Sequence, residues 1–278
     1  AISFLGVFDP GDDKNYQLYG DSDERYSVIG GNLKICEALA GEITDYVLPD
    51  HFLRSIKLLS NNKYQLSFKI AGSGNISATA DIVLCTLPFT VLREVDLQVP
   101  LPSWKLNTIQ HLGYGSNSKL FLGVNERVWR KQGYAGYAFA DNGMMNGYDN
   151  TQMQNHNIGA GGYTIAPGGK AGVEVGTIDQ LLLRDKYVKA LDGVFPGVAT
   201  RFNNNFQTWC WPSYAYSKAS YVSYKVGQYT SMADSESVPV DNLLFAGEHC
   251  SYRFQGFMNG GAETGRLAAE AIIKKIKG

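Results

Sequence analysis

The chain has 278 residues, 44% of them hydrophobic and 18% charged, with a formal net charge of -1. That is a globular balance, long enough for one large domain or two small ones around a sizeable core. Near-neutral charge marks no nucleic-acid or anionic-membrane partner, and apolar runs such as Ile82 to Cys85 are far too short to span a bilayer, so no transmembrane segment is expected. Cys36, Cys85, Cys210 and Cys250 are widely spaced and form no CxxC pair. Neither a metal cluster nor a disulfide framework is therefore expected, and the thiols read as free and buried. The first residues, from Ala1 to Phe4, have neither a basic region nor a long apolar stretch, so no signal peptide is expected in them. A soluble protein follows, cytoplasmic or exported.

In chain order, Tyr26 to Ile29 reads as a short strand, followed by Gly30-Gly31 and a helix. Asn32 stands at its N-cap, and Leu33, Cys36, Ala40 and Ile43 fall at helical spacing. Leu53 to Leu59, Lys63 to Ile70 and Asp81 to Leu87 are strand-like runs, divided by polar turns at Asn61-Asn62 and Gly72 to Asn75. A short helix is predicted over 88–95, beginning at Pro88, and Pro100 and Pro102 mark a change of character. Lys119 to Val124 is a strand, and residues 141–172, rich in Gly and Asn, read as loops and turns around strand fragments. Asp179 to Phe195 has helical patterning, through Leu181, Leu182, Tyr187, Val188 and Leu191, and stops at Pro196-Gly197. Leu243 to Ala246 is a buried strand. A long helix runs from about Phe257 to Ile276, with Met258, Ala262, Gly265, Ala269, Ile272 and Ile276 as its expected inner face.

The segment Leu243 to Gly265, LLFAGEHCSYRFQGFMNGGAETG, carries the most chemistry. An apolar strand ends in Gly247-Glu248, a loop follows, and a glycine-rich helix begins. The first turn of a helix offers unpaired N–H groups and positive partial charge to an electron-rich ligand. Gly256, Gly260 and Gly261 put no side chain in the way. The plain alternative is a tightly packed strand–loop–helix, and on these residues alone the two readings stand level.

This segment resembles the C-terminal FAD-binding signature of the flavin-containing amine oxidase family, which includes monoamine, polyamine and L-amino-acid oxidases. The resemblance rests on Ala246-Gly247-Glu248, Gly256-Phe257-Met258 and the small residues of 260–269. Four further stretches are similar to the family in the right order. RYSVIGGNLKICEALA, from Arg25, resembles the strand, turn and helix that re-enter the FAD domain. DIVLCTLPFTVL, from Asp81, resembles a strand whose following proline, here Pro88, lies near the flavin. GYGSNSKLFLGVNERVW, from Gly113, resembles the strand with the family's active-site lysine, and PSYAYSKASYVSYKVGQY, from Pro212, the segment that delivers a cage aromatic.

The resemblance implies that Lys119 holds a water against flavin N5, and that Tyr221 and Phe257 sandwich the substrate amine. Many relatives have tyrosine at both cage positions, so Phe257 is a departure that removes a hydroxyl. Gly247 and Gly256 belong to the cofactor loop, Glu248 would bind the ribityl chain, and the Met258 backbone would donate to the pyrimidine end of the ring. Ser220 stands where some relatives attach the flavin through cysteine, which implies non-covalent FAD. His111 and His249 read as structural, and Asp149 as facing water.

A GxGxxG turn for the ADP moiety is absent from the sequence. The implied partners are therefore an N-terminal FAD-binding half, a small-molecule amine or amino acid, and O2. The expected fold is α/β: a FAD-binding lobe, the C-terminal part of a Rossmann-like domain, over 22–105 and 214–278, interleaved with a sheet-plus-helix substrate lobe over 1–21 and 106–213. The implied reaction oxidises a C–N bond to an imine and yields hydrogen peroxide, as in monoamine oxidases. An L-amino-acid oxidase, using Arg253 or an upstream arginine for the carboxylate, is the alternative. A carotenoid- or porphyrinogen-type oxidoreductase and a tyrosine-rich binding module are the more distant ones.

Overall fold

The computed structural model describes residues 26–153 and 159–278, together with backbone pairs at 8–9 and 17–18. The chain divides into two compact units, Ala1–Leu112 with Ser223–Gly278, and Gly113–Val222. The segment 1–21, expected in the substrate lobe, falls almost wholly outside the described residues, as does Arg25.

The first unit begins with an antiparallel pair, β1 (Phe8–Asp9) and β2 (Gln17–Leu18). Residues 26–28 have no regular structure where a strand was expected, and a turn follows at Ile29-Gly30, closed by Gly31 N–H donating to the Val28 carbonyl at 2.9 Å. Helix α1 (Leu33–Gly41) follows, but Asn32 does not cap it. Its backbone is already helical, and its Nδ2 donates to Met258 Sδ at 3.7 Å. Strands β3 (His51–Leu58), β4 (Tyr64–Ile70) and β5 (Gly74–Ala80) make an antiparallel meander. Strand β5 lies partly where a turn was expected, because this exposed edge strand carries little apolar signal.

Next come β6 (Val83–Cys85), a one-turn helix α2 (Phe89–Leu92) with Pro88 at its start, and β7 (Asp96–Gln98). Pro88 suits that place because the first helical turn needs its carbonyl and not its missing N–H. Val91 and Leu92 donate to the Pro88 carbonyl at 2.9 and 3.0 Å. Strand β7 runs parallel to β3, giving the order β5-β4-β3-β7. Helix α3 (Ser103–His111) closes this stretch.

The second unit is built on a five-stranded antiparallel sheet. Its elements are β8 (Ser118–Val124), α4 (Val128–Lys131), β9 (Ala138–Ala140), β10 (Met145–Asp149) and β11 (Gly161–Ile165). Then follow α5 (Gly169–Glu174), α6 (Gln180–Val194), α7 (Val198–Arg201) and β12 (Phe202–Cys210), in the sheet order β12-β8-β11-β10-β9. Asp179 caps α6, accepting from the Leu181 and Leu182 N–H groups at 2.9 and 3.2 Å. The helix buries Leu183, Tyr187 and Leu191, whereas Leu181 and Leu182, which belong to its apolar pattern, are exposed. A residue at the N-cap fixes where the first turn points, and the stripe i, i+4, i+8 from Leu183 meets the sheet. Leu120, Leu122, Val124, Trp129, Tyr163 and Ile165 form the facing side of that core.

The chain then returns to the first unit through α8 (Gln228–Met232) and β13 (Leu243–Phe245), which lies parallel to β6. A 3-10 turn at Glu248–Cys250 and the 20-residue α9 (Met258–Lys277) complete it. The buried face of α9 is Gly260, Thr264 and Ala268. That corrects the expected face: Met258 and Ile276 are exposed. Small side chains let the helix approach the Gly247 turn, where Thr264 Oγ1 accepts from Gly247 N–H at 2.9 Å and donates to its carbonyl at 3.0 Å.

Candidate active site

In the first unit, six of the residues singled out above converge on one end of a parallel strand pair. Strands β6 and β13 run in register from Val83 opposite Leu243 to Cys85 opposite Phe245, so both leave the sheet on the same side. Pro88 follows one strand and Gly247-Glu248 the other. Ala246 N–H donates to the Cys85 carbonyl at 3.1 Å, and the Phe89 ring meets Phe245 and His249 at 5.9 and 4.6 Å. The carboxyl end of parallel strands is where open α/β sheets take ligands.

Gly247 has φ +141, and a Cβ there would stand 2.7 Å from the His249 ring, so both backbone and space demand glycine. Glu248 Oε2 accepts from the Gly256 N–H at 2.8 Å and so ties the start of the loop to its end. Ser251 Oγ accepts from Phe254 N–H at 2.9 Å and donates to Glu263 Oε2 at 2.8 Å. The loop therefore delivers Phe257, 36% exposed, to the N-cap of α9, with Met258 exposed beside it. That helix has no acidic residue in its first turn and no side-chain cap, so its positive end is uncovered by its own residues. His249, read as structural, is buried, and burial holds its pKa down to about 4, leaving a neutral ring.

In the second unit, β8 alternates as expected. Leu120 and Leu122 enter the core, and Lys119, Phe121 and Gly123 lie on the other face. Lys119 stands opposite Trp209 of β12, and its Nζ lies 3.4 Å from the Tyr148 hydroxyl and 5.3 Å from the Tyr148 ring centroid. Neither Trp209 nor Tyr148 was marked by sequence reasoning, since strand pairing rather than chain position makes them neighbours of Lys119. The same face bears Phe121 and Thr164, opposite each other, and Phe139 opposite Asn146. Tyr137 stacks on Tyr148 with centroids 6.4 Å apart.

Tyr221 is 41% exposed and belongs to a segment bonded to the entry of β8. Gly115 N–H donates to the Tyr221 carbonyl at 2.7 Å, Ser220 N–H donates to the Gly115 carbonyl at 2.9 Å, and Tyr114 bridges Val222. Ser220 Oγ donates to Asn117 Oδ1 at 3.0 Å. One local framework thus carries Tyr221 and leads into Lys119.

Asp149 does not face water. It is buried and accepts from Trp129 Nε1 at 2.9 Å, Arg130 Nε at 3.2 Å, and the Thr151 N–H and Oγ1 at 2.8 and 2.7 Å. Burial alone would raise its pKa, but the bonds from Thr151, Trp129 and Arg130 outweigh it and hold the carboxyl below the usual range. The expectation of four buried thiols also fails in part: Cys85 is buried and Cys36 is exposed, and all four are free. Among the described residues no helix is long and apolar enough to cross a membrane.

Residues 13–273 match the family described as flavin containing amine oxidoreductase. The chain is 24% identical over 98% of its length to lysine-specific histone demethylase 1 homolog 2 of Oryza sativa subsp. japonica, covering 35% of that protein. It is 26% identical over 75% of its length to polyamine oxidase 2 of Arabidopsis thaliana, covering 42% of it. Its fold is similar to that of cyclohexylamine oxidase from Brevibacterium oxydans IH-35A, with a TM-score of 0.76 and 18% identity. That similarity covers 95% of this chain and 55% of the solved one. The chain spans between a third and half of the length of the curated relatives named here.

Proposed function

The chain belongs to the flavin containing amine oxidoreductase family, and from that premise we propose that it is the substrate-binding and C-terminal cofactor-holding portion of a flavin-dependent amine oxidase. The observation that carries the reading is the convergence of Pro88, Gly247, Glu248 and the Gly256-Phe257-Met258 loop end at the carboxyl edge of β6 and β13. These residues fit FAD on physical grounds: a bare helix N-terminus meets electron-rich oxygen and nitrogen atoms, and the loop is already cross-braced before any ligand arrives. FAD, when bound, supplies the two-electron acceptor for the C–N bond. An upstream FAD-binding half completes the site for the ADP moiety, because no GxGxxG turn lies in this sequence.

The protein's own part is orientation. Tyr221 and Phe257 are the aromatic residues assigned to the amine, each ring offering a cation an attraction of about 0.5–2 kcal/mol. Lys119 would hold a water that adds to the imine carbon, so that the C–N bond breaks to leave a carbonyl product and ammonia or a free amine. The two electrons removed from the substrate would pass through the flavin to oxygen and give hydrogen peroxide. Ser220 offers no thiol, so the flavin is held without a covalent bond.

The favoured substrate is an amine with an apolar body. Phe121, Phe139, Tyr148 and Trp209 line the Lys119 face of the sheet, and Asp149, the single carboxylate of residues 142–173, is spent inside the core. The name cyclohexylamine oxidase of the structural neighbour accords with that class. An L-amino acid is the second reading, because exposed Arg253 could take its carboxylate.

Co-purification with the upstream half tests the reading in one scan. A flavin absorbance band, released to the supernatant by acid, and peroxide formed with apolar amines are expected. A colourless complex that binds no FAD would end it.

A further inference from the structure

A chain of polar groups in the first unit, fully buried at Lys105 and Glu236 and half-buried at Tyr224 and Gln255, has been given no role in the function proposed above. Lys105 of α3 is fully buried, and its Nζ donates to the carbonyls of Ser235 and Glu236. Thr108 Oγ1 and Ser235 Oγ share a hydrogen bond of 2.7 Å at the same turn. The Glu236 side chain, 1% exposed, accepts from the Tyr224 hydroxyl at 2.6 Å. Tyr224 Oη in turn accepts from Gln255 Nε2 at 3.0 Å, and Gln255 Nε2 also reaches the His249 carbonyl at 3.3 Å. The chain therefore runs from α3, through the turn after α8, to the loop that ends in Gly256 and Phe257.

Such a network is costly. Burial pushes the Glu236 carboxyl above the usual range and lowers Lys105 to about 8, so each group is held against its solvation. An apolar cluster would support a loop of this size at less cost, but it would not fix one side-chain amide in direction and height. The braces from Glu248, Ser251 and Glu263 come from the strand–loop–helix segment itself. Phe89 against His249 ties the start of the loop to residues before β13, and Gln255 ties its end to Tyr224.

We propose that Glu236 and Tyr224 are positioning residues, which by holding Gln255 set the place of the 254–257 loop end and hence of the Phe257 ring and the Gly256 and Met258 backbone. The link to cofactor and substrate rests on the function proposed above; the mechanical coupling does not.

Hydrogen–deuterium exchange on the chain itself reads the coupling without flavin. With Tyr224→Phe, which keeps the ring, amides of 254–257 should exchange about tenfold faster, the scale of losing hydrogen bonds that close a local opening. Those of β8 and β12 should not change. Glu236→Gln keeps an acceptor oxygen and should stay within about threefold of the original, whereas Glu236→Leu should repeat the Tyr224→Phe result. Loop exchange unchanged in Tyr224→Phe overturns the proposal, and so does a rise spread evenly over the whole first unit, which would make the network general core support. In the complex with the upstream half, Tyr224→Phe should raise KM for the amine severalfold more than it lowers kcat. If the unaltered complex binds no FAD, the proposed function fails while the exchange result still decides the coupling.

Discussion

The two units solve opposite problems with similar material. The second turns its aromatic residues into a closed core, with Trp129 against Tyr163 at 5.1 Å and Phe195 at 6.0 Å, and buries its carboxylate Asp149 with three partners. The first leaves Leu33, Leu39, Tyr46 and Leu48 more than 60% exposed and builds a two-stranded parallel sheet, a form that proteins ordinarily cover on both faces. It too has an apolar core, with Ile56, Phe89, Leu92, Ile109 and Leu112 fully buried, and it adds hydrogen bonds that hold a loop. The lesson is that a stable scaffold and an accurate site are separate tasks here: packing supplies rigidity in both units, and polar bracing adds placement in the first.

If the open face of the second unit is the reactive one, Lys119→Met should cause the largest functional loss. Fold and flavin content should survive, and the reaction of the reduced enzyme with oxygen should slow by about a hundredfold, the scale of removing one preorganised charge or donor. Stopped-flow mixing at the original rate would remove Lys119 from the chemistry and leave that face a plain surface.

The closed core of the same unit is tested by Asp149→Ala, which strands the Trp129 N–H and the Arg130 guanidinium. A loss of about 3 kcal/mol is expected in urea titration. Because the folded pKa of Asp149 lies below its ordinary value, its contribution is complete above the ordinary carboxylate range and fades as pH falls through the folded value. The variant's stability should therefore depend less on pH in that acidic window, and an unaltered slope would show that Asp149 is not the group responsible.

Tyr221→Ala should cost at least about tenfold in kcat/KM for amines with flavin still bound. Kinetics that stay the same would exclude the cage. The smallest effect is expected inside the core, where the Tyr187 hydroxyl is buried with no hydrogen-bond partner among the described residues. Tyr187→Phe should leave the melting temperature level or raise it, worth up to about 1 kcal/mol; a clear drop would reveal a partner for that oxygen.

What could be read from the sequence follows from how local each signal is. The strand, turn and helix from Leu243 onward, the helix between Asp179 and Phe195 and the alternation around Lys119 depend on neighbours within a few residues, and all three stand in the structure. Strand β5 has no apolar stripe because both its faces are exposed, so its pattern was indistinguishable from a turn. The face of α9 was misjudged because Gly260 and Thr264, not the larger Met258 and Ile276, meet the neighbouring turn. In the site itself, Pro88 and Gly247 are united by strand pairing across some 160 positions, and the family resemblance, rather than periodicity, drew attention to both. The Lys105–Glu236–Tyr224–Gln255 chain left no sequence signal, since a lysine and a glutamate in polar stretches read as surface charges.

Gly260 and Gly261 look interchangeable in the sequence, yet they differ in clearance. A Cβ on Gly260 would lie 2.3 Å from the Phe254 carbonyl oxygen, whereas one on Gly261 would meet nothing within 4 Å. The loop thus rests on the helix like a key on its seat, with no slack at one residue and ample room at the next. Variation among natural or evolved versions of this protein should accordingly pass freely through 261 and stop at 260, because any side chain there lifts the seat and the aromatic ring that rides on it.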